Sequence, residues 1–67
     1  MDSVEKARVR LQHWISHNDH HHEEYEKFVR ELEEDGKLET AKYLKEMINL
    51  TSRSTEYLKK ALKALGQ

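Results

Sequence analysis

Apolar residues recur at alternating steps of three and four along almost the whole chain. In the first half, Val4, Leu11, Asn18, Tyr25 and Leu32 form one row of a seven-residue repeat, and Ala7, Trp14, His21 and Phe28 form a second. Together they read as the a/d seam of a helix that packs along its length. The row ends at Asp35-Gly36, where glycine is the expected residue just past a helix C-terminus. The second half repeats the pattern through Ala41, Leu44, Ile48, Thr51, Thr55, Leu58, Leu62 and Leu65, and stops at Gly66. Neither repeat contains a stutter, so left-handed coiled-coil packing is expected.

These rows predict an all-α fold: an antiparallel two-helix hairpin with coiled-coil-like packing. Residues 1–67 make one domain, with a helix over about 3–35, a turn at 36–37 and a helix over about 38–65. Asp2 and Glu5 have capping-box spacing at the start. The two rows also fit each other. Folding at Gly36-Lys37 sets Leu32 against Ala41, Tyr25 against Ile48, Asn18 against Thr55 and Leu11 against Leu62. The companion row sets Phe28 against Leu44, His21 against Thr51, Trp14 against Leu58 and Ala7 against Leu65. A short connection favours such antiparallel neighbours. Four shorter helices, broken near Ser16–Asp19 and Thr51–Ser54, are the weaker alternative, because both segments lack Gly and Pro and the repeat runs through them.

A second stripe, Ile15, Val29, Met47, Leu50 and Ala61 with His22 near it, lies outside this seam. It predicts closure of two hairpins into a dimeric four-helix bundle, a homodimer. Composition points the same way. A 67-residue chain has a marginal core, and small domains are usually reinforced by disulfides, metal or oligomerisation. With no cysteine, only the last two remain. The net charge of -1, with both signs interspersed, offers no basic face for nucleic acid. No apolar run is long enough for a membrane span and no leader pattern is present, so the expectation is a cytoplasmic protein.

The predicted pairing gathers four polar residues at mid-seam: Asn18, His21, Thr51 and Thr55. Burying polar groups costs stability, so the layer either specifies register or belongs to a site. The histidines favour a site. All five lie between His13 and His22. At about 100° per residue, His13, His17, Glu24 and His21 form a strip running from the solvent face to the seam edge. His17 and His21 stand one turn apart, so two imidazoles can meet one ion, and Glu24 can add a carboxylate. The candidate metal ligands are therefore His13, His17, His21 and Glu24. His20 and His22 point elsewhere and read as solvated. Imidazole with carboxylate suits a divalent transition metal: nickel, cobalt, zinc or iron. One helix supplies too few ligands for a closed centre, which leaves Glu56, a second protomer or water to complete it. Asn18 is expected to orient a ligand ring, and Trp14 and Tyr25 to wall the site.

The segment Leu11–Glu24 resembles a small group of helical proteins from anaerobic microbes with a His-Trp-Ile-x-His-Asn-x-x-His signature, matched here by His13, Trp14, Ile15, His17, Asn18 and His21. That resemblance implies a part in nickel or cobalt handling. The stretch from His20 to Gly36 is also similar to the opening helix of hemerythrin-like cation-binding domains, which hold two irons in a four-helix bundle. Those domains carry ligands on several helices. This chain has no histidine after His22, so a di-iron site would need two protomers.

The reading is a metal-binding or metal-sensing helical module and not an enzyme, since no nucleophile–base arrangement is visible. The alternative is a structural or adaptor module that binds a partner helix or self-associates, with Asn18, His21, Thr51 and Thr55 only setting register.

Overall fold

The computed structural model describes residues 2–66. Two helices, α1 (Ser3–Glu34) and α2 (Leu38–Ala64), run antiparallel in a rod of 51 × 16 × 13 Å. The chain is thus the expected all-α hairpin. A 32-residue helix rising 1.5 Å per residue accounts for nearly all of the long dimension.

The helix ends follow from local chemistry. Asp2 sits in extended conformation at the N-cap of α1, and its carboxylate accepts the Glu5 amide proton at 2.8 Å. This satisfies one of the free amides of the first turn. At the other end, the Gly36 amide donates to the Glu33 carbonyl at 3.1 Å and the Lys37 amide to the Leu32 carbonyl at 2.8 Å. This pair of bonds is a Schellman motif, and it requires a left-handed residue between helix and exit. Gly36 provides it with φ +76°. The chain then reverses without a side-chain cap on α2, whose first turn carries Glu39 and whose last carries Lys63, both matched to the helix dipole.

The α2 seam is as predicted: Ala41 and Thr55 are buried, and Leu44, Ile48, Thr51, Leu58, Leu62 and Leu65 are half-buried. The α1 seam is half as predicted. The row Leu11, Asn18, Tyr25 and Leu32 does face α2, and the Asn18–Thr55 pairing is a direct contact at 3.4 Å. Its companion row, however, is Ile15, His22 and Val29. Val29 is 5% exposed, whereas Trp14 and Phe28 are 47% and 50% exposed. The predicted row of Trp14, His21 and Phe28 is therefore corrected to a flank of the seam. Likewise Ile15 and Val29 are not part of a second, outward stripe. The physical reason is that α1 has apolar residues on both sides of its central row. The aliphatic side, Ile15 and Val29, packs inward against α2.

The interior is thin. Among the described residues only Val29 and Ala41 are buried hydrophobics, and no large side chain is fully buried. An ion pair between Glu33 and Lys45 crosses the seam edge near the turn. Among the described residues, no helix is long and apolar enough to cross a membrane.

Candidate metal centre

Rotating the seam toward Ile15 and Val29 moves His21 out of the interface and onto the lip of a groove, with its side chain 41% exposed. Asn18, His21 and Tyr25 of α1 and Thr51 and Ser54 of α2 line that groove. His17 lies one turn before His21 on the same helix, and the two rings converge. Their Nε2 atoms are 2.9 Å apart, with ring planes at 88°. On its other side, the His21 ring places Nδ1 2.8 Å from Glu24 Oε1.

With both rings neutral, these contacts select the tautomers. A carboxylate accepts, so Nδ1 of His21 carries the hydrogen and Nε2 keeps a lone pair. The bond between the rings is then donated by His17 Nε2–H. The Tyr25 ring stacks on His21 at 5.9 Å with a 12° interplanar angle. His13 stacks on His17, also at 5.9 Å. The two ring nitrogens face each other, and one ring is held from behind by a carboxylate. Metal–nitrogen bonds of about 2.0–2.1 Å at tetrahedral angles need nitrogens about 3.4 Å apart. Both side chains are accessible enough to open by that half ångström.

The neighbouring polar side chains are engaged in different ways. Glu24 stands behind the ring, on the Nδ1 side of His21 and away from Nε2. The Asn18 amide reaches the other helix. Its Nδ2 donates to Thr55 Oγ1 across the seam. His22, read as solvated, is half-buried, and its Nε2 lies 3.3 Å from the Ile48 carbonyl. A histidine sharing the heptad row of Ile15 and Val29 was the signal for this. Thr51 and Thr55 turn their hydroxyls onto their own helix, donating to the Ile48 carbonyl at 3.0 Å and the Thr51 carbonyl at 3.1 Å. The polar layer is thus largely self-satisfied and crosses the seam through the Asn18–Thr55 bond. Within one chain, no group of three or more His, Asp or Glu side chains among the described residues is arranged around a common point. The single chain brings a pair of ligands with its orienting carboxylate.

The class defined by this fold and this pair is a helical hairpin with a histidine cluster at mid-length on its first helix. The chain belongs to the family described as a domain of unknown function, DUF8180, whose match covers residues 7–65 and hence both helices. No curated protein and no solved structure matches it.

Proposed function

We propose that this chain is a cytoplasmic, homodimeric metal-binding or metal-sensing module, a binder and not a catalyst. His17 and His21 are the ligands, through their Nε2 atoms. Glu24 sets the tautomer and direction of the His21 ring, and His13 is an auxiliary next to His17. The observation that carries this reading is the 2.9 Å approach of two Nε2 atoms with a carboxylate on the opposite nitrogen of one ring. An imidazole used only for solubility has no need of either contact. All-nitrogen and oxygen donors favour nickel, cobalt, zinc or iron. Nickel and cobalt agree with the resemblance carried by His13, Trp14, Ile15, His17, Asn18 and His21.

Calorimetric titration with nickel(II), cobalt(II) and zinc(II) tests the reading. Wild type should bind at least one ion with micromolar affinity or better. His17→Ala and His21→Ala should each lose most of that affinity, because one ligand cannot chelate. His20→Ala should change it little. Binding no tighter than about millimolar, some 4 kcal/mol, would reduce the cluster to a casual surface pair.

The adaptor reading draws support from the Asn18–Thr55 contact, a long hydrogen bond that crosses the seam. It predicts instead that metal leaves the protein unchanged.

A further inference from the structure

The corrected seam leaves one face of the hairpin uncovered, and the histidine pair lies at its centre. His21 and Ser54 sit on the two walls of the groove. Steps of seven from them reach Trp14 and Phe28 on α1 and Met47 and Ala61 on α2. The next row out on α2 is Tyr43, Leu50 and Tyr57, all more than 60% exposed. The opposite groove carries Glu26, Arg30, Lys45 and Asn49 around Val29 and Ile48. The hairpin therefore has one aromatic face and one charged face.

We propose that the aromatic face docks on a second copy of this chain about a twofold axis at His21, and that this contact completes the metal site. The inference rests on the metal-binding reading above and names the partner of that site. Three observations select a second copy as the occupant.

First, the face is self-complementary. Packing α1 antiparallel on α1 of the partner, with His21 opposite its own copy, sets Trp14 against Phe28 of the partner. The neighbouring row then sets Arg10 against Glu31 and His17 against Glu24. The same axis sets Leu50 of α2 opposite itself and Tyr43 opposite Tyr57, and the two centres agree in height to within about half a helical turn. A twofold interface requires this mirrored pairing of one surface with itself. In it every helix is antiparallel to its neighbours.

Second, the chain exposes more surface than a compact monomer of its mass, enough for an interface. A compact monomer of 8.0 kDa exposes about 4,500 Å². This chain exposes 5443 Å². The excess, about 1,000 Å², is close to the roughly 800 Å² per partner of a stable interface.

Third, the site is half a site. Metal centres usually take three or four protein ligands. Each copy brings two facing ring nitrogens, and the twofold brings the partner's His17–His21 pair to their open side, so that one ion at the axis takes four nitrogens while each Glu24 keeps its contact with His21 Nδ1.

The test joins association to metal binding. Sedimentation of the full chain is compared with and without nickel(II), cobalt(II) and zinc(II), alongside calorimetry. Leu50→Glu lies on α2, touches no ligand and is 64% exposed, so helicity by circular dichroism should hold. It places a carboxylate opposite its own copy. It should shift the chain to monomer and weaken metal binding at least tenfold. Arg10→Glu should weaken dimerisation, and adding Glu31→Arg should restore it, which checks the register. If Leu50→Glu is a helical monomer that binds metal as wild type does, the intersubunit site is wrong while the metal reading stands. If wild type dimerises but binds none of the three ions, the metal reading fails, and completion of a site by the dimer fails with it.

Discussion

Val29→Ala and Phe28→Ala should rank in the opposite order to side-chain size. Val29 is 5% exposed and packs in the α1–α2 seam, and the substitution removes two methyl groups. At about 0.8 kcal/mol per buried carbon plus a small cavity term, the loss is about 2 kcal/mol. A domain this small has about 3–5 kcal/mol in total. The midpoint of thermal unfolding should therefore fall by about 8–16 °C. Phe28 is larger but 50% exposed, so only half its transfer energy is realised within one chain. Its truncation should cost about 1 kcal/mol and leave no closed cavity. The assay is circular dichroism at 222 nm during heating, at low micromolar protein with chelator present, so that neither metal nor association contributes. Raising the protein concentration or adding metal should enlarge the Phe28→Ala effect and leave the Val29→Ala effect nearly constant. A Phe28→Ala loss equal to or greater than that of Val29→Ala in dilute chelator would place the seam on the Trp14–His21–Phe28 row and refute the packing described here.

Two further outcomes follow from the turn and the polar layer. Gly36→Ala should destabilise the hairpin by about 1–2 kcal/mol in urea titration, because φ +76° is unfavourable for a residue with a Cβ even though nothing crowds the position; no loss would mean that the turn readjusts freely. A double-mutant cycle of Asn18→Ala and Thr55→Ala should give a coupling of about 0.5 kcal/mol or less, since 3.4 Å is long for a hydrogen bond; a coupling above about 1.5 kcal/mol would make the layer a strong register device.

Much of the fold was legible because composition left few options. On α2, the row flanking the seam on one side is Lys45, Ser52 and Lys59, so only Leu44, Thr51, Leu58 and Leu65 can complete the interface. Gly36 is the only glycine inside the repeat, and the Schellman bonds form around it. On α1 the choice was open, because Ala7, Trp14 and Phe28 flank the central row on one side and Ile15 and Val29 on the other. Bulk suggested the aromatic row, while packing against α2 favours the aliphatic one. That one rotation accounts for the misplaced residues: it moves His21 to the groove lip and His22 inward. The convergence of His17 and His21 was readable from their one-turn spacing. The position of Glu24 was not, because a residue three positions after His21 can reach either ring nitrogen, and only the side-chain rotamers decide which.

Which nitrogen atoms meet the metal is the decisive question for the histidine pair. Nitrogen-15 NMR of the imidazole side chains during titration with diamagnetic zinc(II) reads this atom by atom. The predicted result is that the Nε2 resonances of His17 and His21 move to the metal-bound range first, while His21 Nδ1 keeps its proton against Glu24 and the His20 resonances stay in place. Uniform, weak shifts across all five histidines, or binding through His21 Nδ1 with Glu24 displaced, would contradict it.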